Sequence, residues 1–149
     1  MSDDIMAEAI ELFRSGDLKG AVENLESKLR SNGDNAILQH TFAEFANMLN
    51  MQEQEDIVPG GKIMMSYKKA MQLDEENVEY IADFASFALE CRRVPVAVKE
   101  FQRYAKSSKS KTFQLMMHFT KQVAILSMRL RLWTLHEKHR RFNLGSSKP

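Results

Sequence analysis

The chain has 149 residues, enough for one domain with a sizeable core, and its 44% hydrophobic content is that of an ordinary globular protein. A single cysteine, Cys91, excludes an internal disulfide and suits a reducing compartment, with the cytosol as the expected location. The net charge of +1 hides an asymmetry: residues 1–111 carry 14 Lys/Arg against 19 Asp/Glu, whereas residues 112–149 carry seven against one.

Only six Gly and three Pro interrupt the chain, which suits an all-helical reading. Ser2 can cap a first helix, with Asp3 and Asp4 in its first turn, running to about Ser15. Asp17 caps a second, which stops near Asn32-Gly33. Asp34 opens a third, through about Leu49. Asn50–Gly61 (NMQEQEDIVPGG) has turn chemistry and little apolar periodicity, with Pro59-Gly60-Gly61 as its exit. A fourth helix spans about Lys62–Leu73. Asp74-Glu75-Glu76-Asn77 caps a fifth, to about Cys91, and Pro95 sits in the first turn of a sixth, to about Lys106. Ser107–Lys111 (SSKSK) is a polar joint. Thr112–Phe142 is then one uninterrupted helix, and residues 143–149 form a flexible tail. The acidic start (MSDDIMAE) is no secretory signal, and no run reads as a membrane span.

The helices repeat. Ala43 lies 34 residues after Ala9, and Ala85 lies 42 after Ala43. Second-helix landmarks run Ala21, Ile63, Ala97 and Leu25, Tyr67, Phe101, at spacings of 42 and then 34. One period of 34 explains every spacing if eight extra residues sit between Ala43 and Ile63, the interval that holds Asn50–Gly61. Residues 1–111 therefore read as three helical hairpins with an insertion at about 50–61.

A helix–turn–helix period of 34 with these small and aromatic positions resembles the tetratricopeptide repeat (TPR) family. The matching residues are Ala9, Gly16-Asp17 and Ala21; then Phe42-Ala43, Tyr67 and Ala70; then Phe84-Ala85, Ala97 and Phe101. The usual repeat-ending proline is absent, with Gly33, Glu75 and Lys109 in its place, and the usual first-helix tryptophan is Ile5, Gln39 and Ile81. The resemblance implies an all-α fold, a TPR-like α-α superhelix or solenoid of helical hairpins. It also implies a protein-interaction module whose first helices line a concave groove. The groove positions it implies are Asp3, Met6, Ile10 and Phe13, then Ile37, His40, Thr41, Glu44 and Asn47, then Glu79, Ala82, Asp83 and Ser86. One subgroup of the family grips acidic chaperone tails with Lys, Asn and Arg. The corresponding positions here hold Met6, Ile10, Thr41, Glu79 and Asp83, so that ligand is not expected. The groove is apolar at one end and acidic at the other, which suits a basic or amphipathic peptide or helix.

Two apolar stripes run along the last helix. Leu115, Phe119, Val123, Leu126, Leu130 and Trp133 suit the inner face of a cap over the last hairpin. Met117, Ala124, Met128, Leu132 and Leu135 lie roughly opposite, and Met117, Met128, Leu132 and Leu135 are a candidate assembly surface, a homodimer being one outcome. The basic residues Lys121, Arg129, Arg131, Lys138, Arg140 and Arg141 are spread around the helix axis. A phosphate-binding role, as in a subunit of a ribonucleoprotein assembly, is the alternative to a solvated one. Chemistry is poorly supported: no glycine loop cradles phosphate, His136 and His139 lack further ligands nearby in sequence, and Cys91 has no local base and reads as a small buried side chain. The expectation is a non-catalytic adaptor or scaffold with no cofactor and no metal.

Overall fold

The computed structural model describes residues 2–91, 95, 99, 102 and 111–145, and side chains from Asp4 to Cys91 and over most of 125–143. Six helices have described bounds, and no strand occurs among the described residues: α1 (Ser2–Arg14), α2 (Leu18–Leu29), α3 (Ala36–Glu53), α4 (Gly60–Leu73), α5 (Val78–Glu90) and α6 (Lys111–Gly145). Each helix packs chiefly against its neighbours in sequence, the mark of stacked hairpins.

The first hairpin shows how residue choice sets the fold. Gly16 takes φ +89°, a left-handed conformation that costs a side-chain-bearing residue about 1–2 kcal/mol, and so reverses the chain after α1. Asp17 then caps α2, its Oδ1 accepting the Gly20 amide at 2.8 Å. Ala9 and Ala21 are fully buried where the two helices face each other. Lys28 closes the same pair from outside, donating to the Ile5 carbonyl at 2.7 Å and lying 3.4 Å from Glu8. Hydrogen bonds from Asn24 and Lys28, with the Lys28 charge, hold the Glu8 carboxyl below the usual carboxylate range.

Down the stack the small positions repeat at Ala43, Ala46, Ala70 and Ala88, all essentially inaccessible. Between them Leu25, Leu38, Phe42, Ile63, Met71, Ile81 and Phe84 are fully buried, each stabilising the fold by about 1.5–3 kcal/mol.

Several helix ends differ from the sequence reading. α2 stops at Leu29 with Arg30 as its cap, and beyond the helix the Lys28 carbonyl accepts from the backbone amide of Asn32 at 3.1 Å and from its side-chain Nδ2 at 3.0 Å. Asn35, not Asp34, caps α3, accepting from Leu38 N at 3.0 Å. α3 continues through Glu53, one turn beyond Leu49, and ends at Gln54 in the left-handed region with φ +54°. A third of the expected insertion, residues 50–53, therefore belongs to α3. The remainder is short and pinned: Asn50 donates to the Val58 carbonyl at 2.7 Å and accepts the Val58 amide at 2.9 Å, while Val58 itself is buried. α4 starts at Gly60 with Pro59 as its N-cap residue, so Gly60 and Gly61 belong to the helix rather than to the loop. Asn77 caps α5, accepting from Glu79 N at 3.1 Å. The partner helix of the third hairpin, with Ala97 and Phe101, lies outside the described residues apart from helical Pro95, Lys99 and Gln102, and so does most of the SSKSK joint.

α6 is 35 residues long, about 52 Å, and its helical partner among the described residues is α5, of 13 residues and about 20 Å. A helix this long outruns the one it packs on. Accordingly Leu126, Leu130 and Trp133, expected to face inward as part of the cap, are 56–65% exposed. On the other stripe Met128, Leu132 and Leu135 are exposed as well. The side chains of Leu115, Met117, Phe119, Val123 and Ala124 lie outside the described residues.

Candidate functional site

The first helices of the three hairpins, α1, α3 and α5, are joined side chain to side chain. Thr41 Oγ1 lies 3.4 Å from Met6 Sδ, and the Phe13 ring stacks on Phe45 at 4.7 Å between centroids. Across the next seam His40 Nε2 is 2.7 Å from Asp83 Oδ2. These three links bring Met6, Phe13, His40, Thr41 and Asp83 into one row. Met6, Ile10, Thr41, Glu44, Asn47 and Asp83 are half-buried, while Phe13, Ile37, Glu79 and Ser86 are exposed. Ile37 also lines an open cleft of about 710 Å³ at one end of the stack, with Asn32, Asp34, Leu73, Asp74 and Tyr80.

His40 is not presented to solvent as the groove assignment expects. It is 7% exposed, its ring 4.6 Å from that of Tyr80 and 5.9 Å from that of Tyr67. The reason is its place on α3, between the second hairpin's own partner helix and the incoming third hairpin. Phe45, Tyr67 and Tyr80 were not assigned to the groove, yet Phe45 backs Phe13 and the two tyrosines wall His40. The i,i+4 pair His40/Glu44 was the available signal, because that spacing puts both on one helical face.

The acidic end is electrostatically loaded. Glu44 Oε2 lies 3.6 Å from His40 Nδ1, and among the described residues neither Glu44 nor Asp83 has a Lys or Arg within ion-pair distance. Burial raises the Glu44 carboxyl above its ordinary value; Asp83 and Glu79 push in the same direction and His40 opposes them. Burial, and then the charges of Glu44, Asp83 and Glu90, holds the Tyr67 phenol far above its ordinary value. Tyr80 is raised too, by burial first and then by Asp74, Glu79 and Glu44. Both tyrosines therefore stay neutral around the imidazole.

The remaining candidates are more dispersed. Cys91, read as a small buried side chain, is instead exposed at the C-cap of α5, where the chain has left the buried stripe of Ile81, Phe84, Phe87 and Ala88. Arg129, Arg131, Lys138, Arg140 and Arg141 are exposed on α6, interleaved with the apolar residues, and Glu137 pairs with Arg140 at 3.1 Å. No helix among the described residues is long and apolar enough to cross a membrane.

No family model matches the chain, and no curated protein does. Solved structures do match: one is the Arabidopsis OM64 TPR domain, 17% identical with a TM-score of 0.51, over 81% of this chain and 94% of that one. The fold is thus an all-α superhelix of tetratricopeptide type, a likeness of architecture that leaves the ligand to be argued from the residues themselves.

Proposed function

We propose that this chain is a non-catalytic adaptor or scaffold whose row of first helices takes a basic, amphipathic peptide or helix from another protein. The observation that carries the reading is the acidic end itself. Glu44, Glu79 and Asp83 converge without a Lys or Arg opposite them among the described residues, beside the apolar Met6, Ile10 and Phe13. A helix with cations on one side and apolar residues on the other complements both ends. Thr41, Asn47 and Ser86 offer polar edges, and His40 acts from behind by holding Asp83. The distal half of α6 supplies a second surface, where Met128, Leu132 and Leu135 join two copies of the chain. One cysteine in 149 residues agrees with a reducing, cytosolic setting.

The test is fluorescence anisotropy with a labelled amphipathic Leu/Lys helical peptide, in buffer containing a chelator. Glu79→Lys, an exposed change that spares the core, should weaken binding at least tenfold, and Glu79→Lys with Asp83→Lys should weaken it further. Unchanged binding in both variants rejects the groove.

A further inference from the structure

We propose that His40, Glu44 and Asp83 form a site for a divalent transition-metal ion of the Zn²⁺ class, at the seam between the second and third hairpins. The proposal does not rest on peptide binding; it rests on the geometry around one buried imidazole. Asp83 Oδ2 sits 2.7 Å from His40 Nε2. An ionised carboxylate only accepts, so Nε2 carries a proton and Nδ1 is the ring nitrogen left for an ion. That nitrogen faces Glu44 Oε2 at 3.6 Å, too long for a good hydrogen bond. It is close, however, to the separation of about 3.3 Å between two ligands held 2.0–2.1 Å from one tetrahedral ion.

The surroundings supply what such a site requires. A carboxylate on the far nitrogen fixes the tautomer and orientation of a metal-binding imidazole. Tyr67 and Tyr80 hold the ring from the sides. One candidate ligand atom from each of His40, Glu44 and Asp83 lies within 4.8 Å of the other two, so Asp83 adds its negative charge from the Nε2 side while His40 Nδ1 and Glu44 hold the ion. Glu44 and Asp83 are only partly buried, leaving coordination positions open to water or to a ligand group. A neutral imidazole with two carboxylates matches a 2+ charge. An imidazole nitrogen in the ligand set selects a borderline transition metal over Mg²⁺ or Ca²⁺, which favour all-oxygen sites.

The experiment is calorimetric titration of ZnCl₂ into the chelator-treated 149-residue chain carrying Cys91→Ser, His118→Ala, His136→Ala and His139→Ala, which removes every other thiol and imidazole. The expected result is one Zn²⁺ per chain with micromolar affinity, a rise in Tm of several degrees in excess metal, and no response to MgCl₂. Adding Glu44→Gln or Asp83→Asn should lower the affinity about 10–100-fold, with helical circular dichroism unchanged. Absence of Zn²⁺ binding in the background chain, or an affinity that neither substitution moves by more than threefold, overturns the site. Peptide binding in chelator, tested above, stands or falls separately.

Discussion

His40 on α3 and Asp83 on α5 meet at 2.7 Å, a side-chain hydrogen bond between the second and third hairpins. In a stack where each unit touches only its neighbours, a seam contact of this kind couples the stability of adjacent repeats. His40→Ala should cost about 3 kcal/mol, because it empties a nearly buried aromatic site and leaves Asp83 without its donor. Asp83→Ala should cost about 1 kcal/mol, discounted because that carboxylate is one-third exposed. Urea denaturation of the two single variants and the double variant should return a coupling energy of about 0.5–3 kcal/mol. Strict additivity would mean that the hydrogen bond contributes nothing to the seam.

Glu44 should make the protein less stable at neutral pH than in mild acid at this one position. Its folded carboxyl is raised by burial and by Asp83 and Glu79, so the fold prefers the protonated form. The stabilising contribution is fully present below the unfolded value near 4.5 and is lost as pH rises through the folded value. Glu44→Gln should therefore melt higher than the parent chain at pH 7–8, and the two should converge as pH falls toward 4.5. A parent chain that melts higher at pH 8 would reverse the sign. The same substitution should strengthen the metal-free fold while weakening Zn²⁺ binding, so lost metal could not be blamed on unfolding.

How far the sequence foresaw this architecture depends on the range of the forces involved. Ala9, Ala21, Ala43 and Ala85 revealed the hairpin period because close helix approach demands small residues at fixed places. Asp17 and Asn77 announced helix starts because a cap acts within three residues. His40 was misplaced because a helical wheel says which side a residue takes, not what arrives there. Asp83 is 43 positions away on α5, which also brings Tyr80, and Tyr67 comes from α4. The exposed end of α6 was hidden for a similar reason: an apolar stripe looks the same whether or not a partner helix is long enough to cover it.

Asn50 shows how a stretch with turn chemistry and little apolar periodicity is held in place. Its amide pairs with both the N–H and the carbonyl of Val58, as a β-bridge residue would, and closes the loop between α3 and α4. Asn50→Ala should cost about 2 kcal/mol, near 1 kcal/mol for each lost hydrogen bond. Asn50→Asp should lose the bond to the Val58 carbonyl and keep the one from its amide, at roughly half that cost. Limited proteolysis should show faster cleavage between Gln54 and Ile57 in Asn50→Ala, with the remaining helices resistant. An unchanged cleavage rate would mean that buried Val58 alone anchors the loop.

The distal half of α6 makes the strongest demand for a partner. Leu126, Leu130 and Trp133 on one side and Met128, Leu132 and Leu135 on the other are 48–66% exposed, and Phe142 is 75% exposed. Single exposed apolar residues need no explanation, but two continuous stripes on one helix do. If the Met128 stripe joins two copies, light scattering of the full chain should give the mass of a dimer. Met128→Glu with Leu132→Glu should then give a folded monomer with an unchanged Tm at high dilution, since neither side chain is buried within the chain. A monomeric parent chain destabilised by the double substitution would instead place this stripe in internal packing. The interface should tolerate salt, because apolar burial is not screened, whereas contacts made by Arg129, Arg131, Lys138, Arg140 and Arg141 to a phosphate backbone would weaken steeply as salt rises. Dimer mass that persists from low salt to about 0.5 M would assign α6 to protein assembly, and its loss over that range would assign it to the charges.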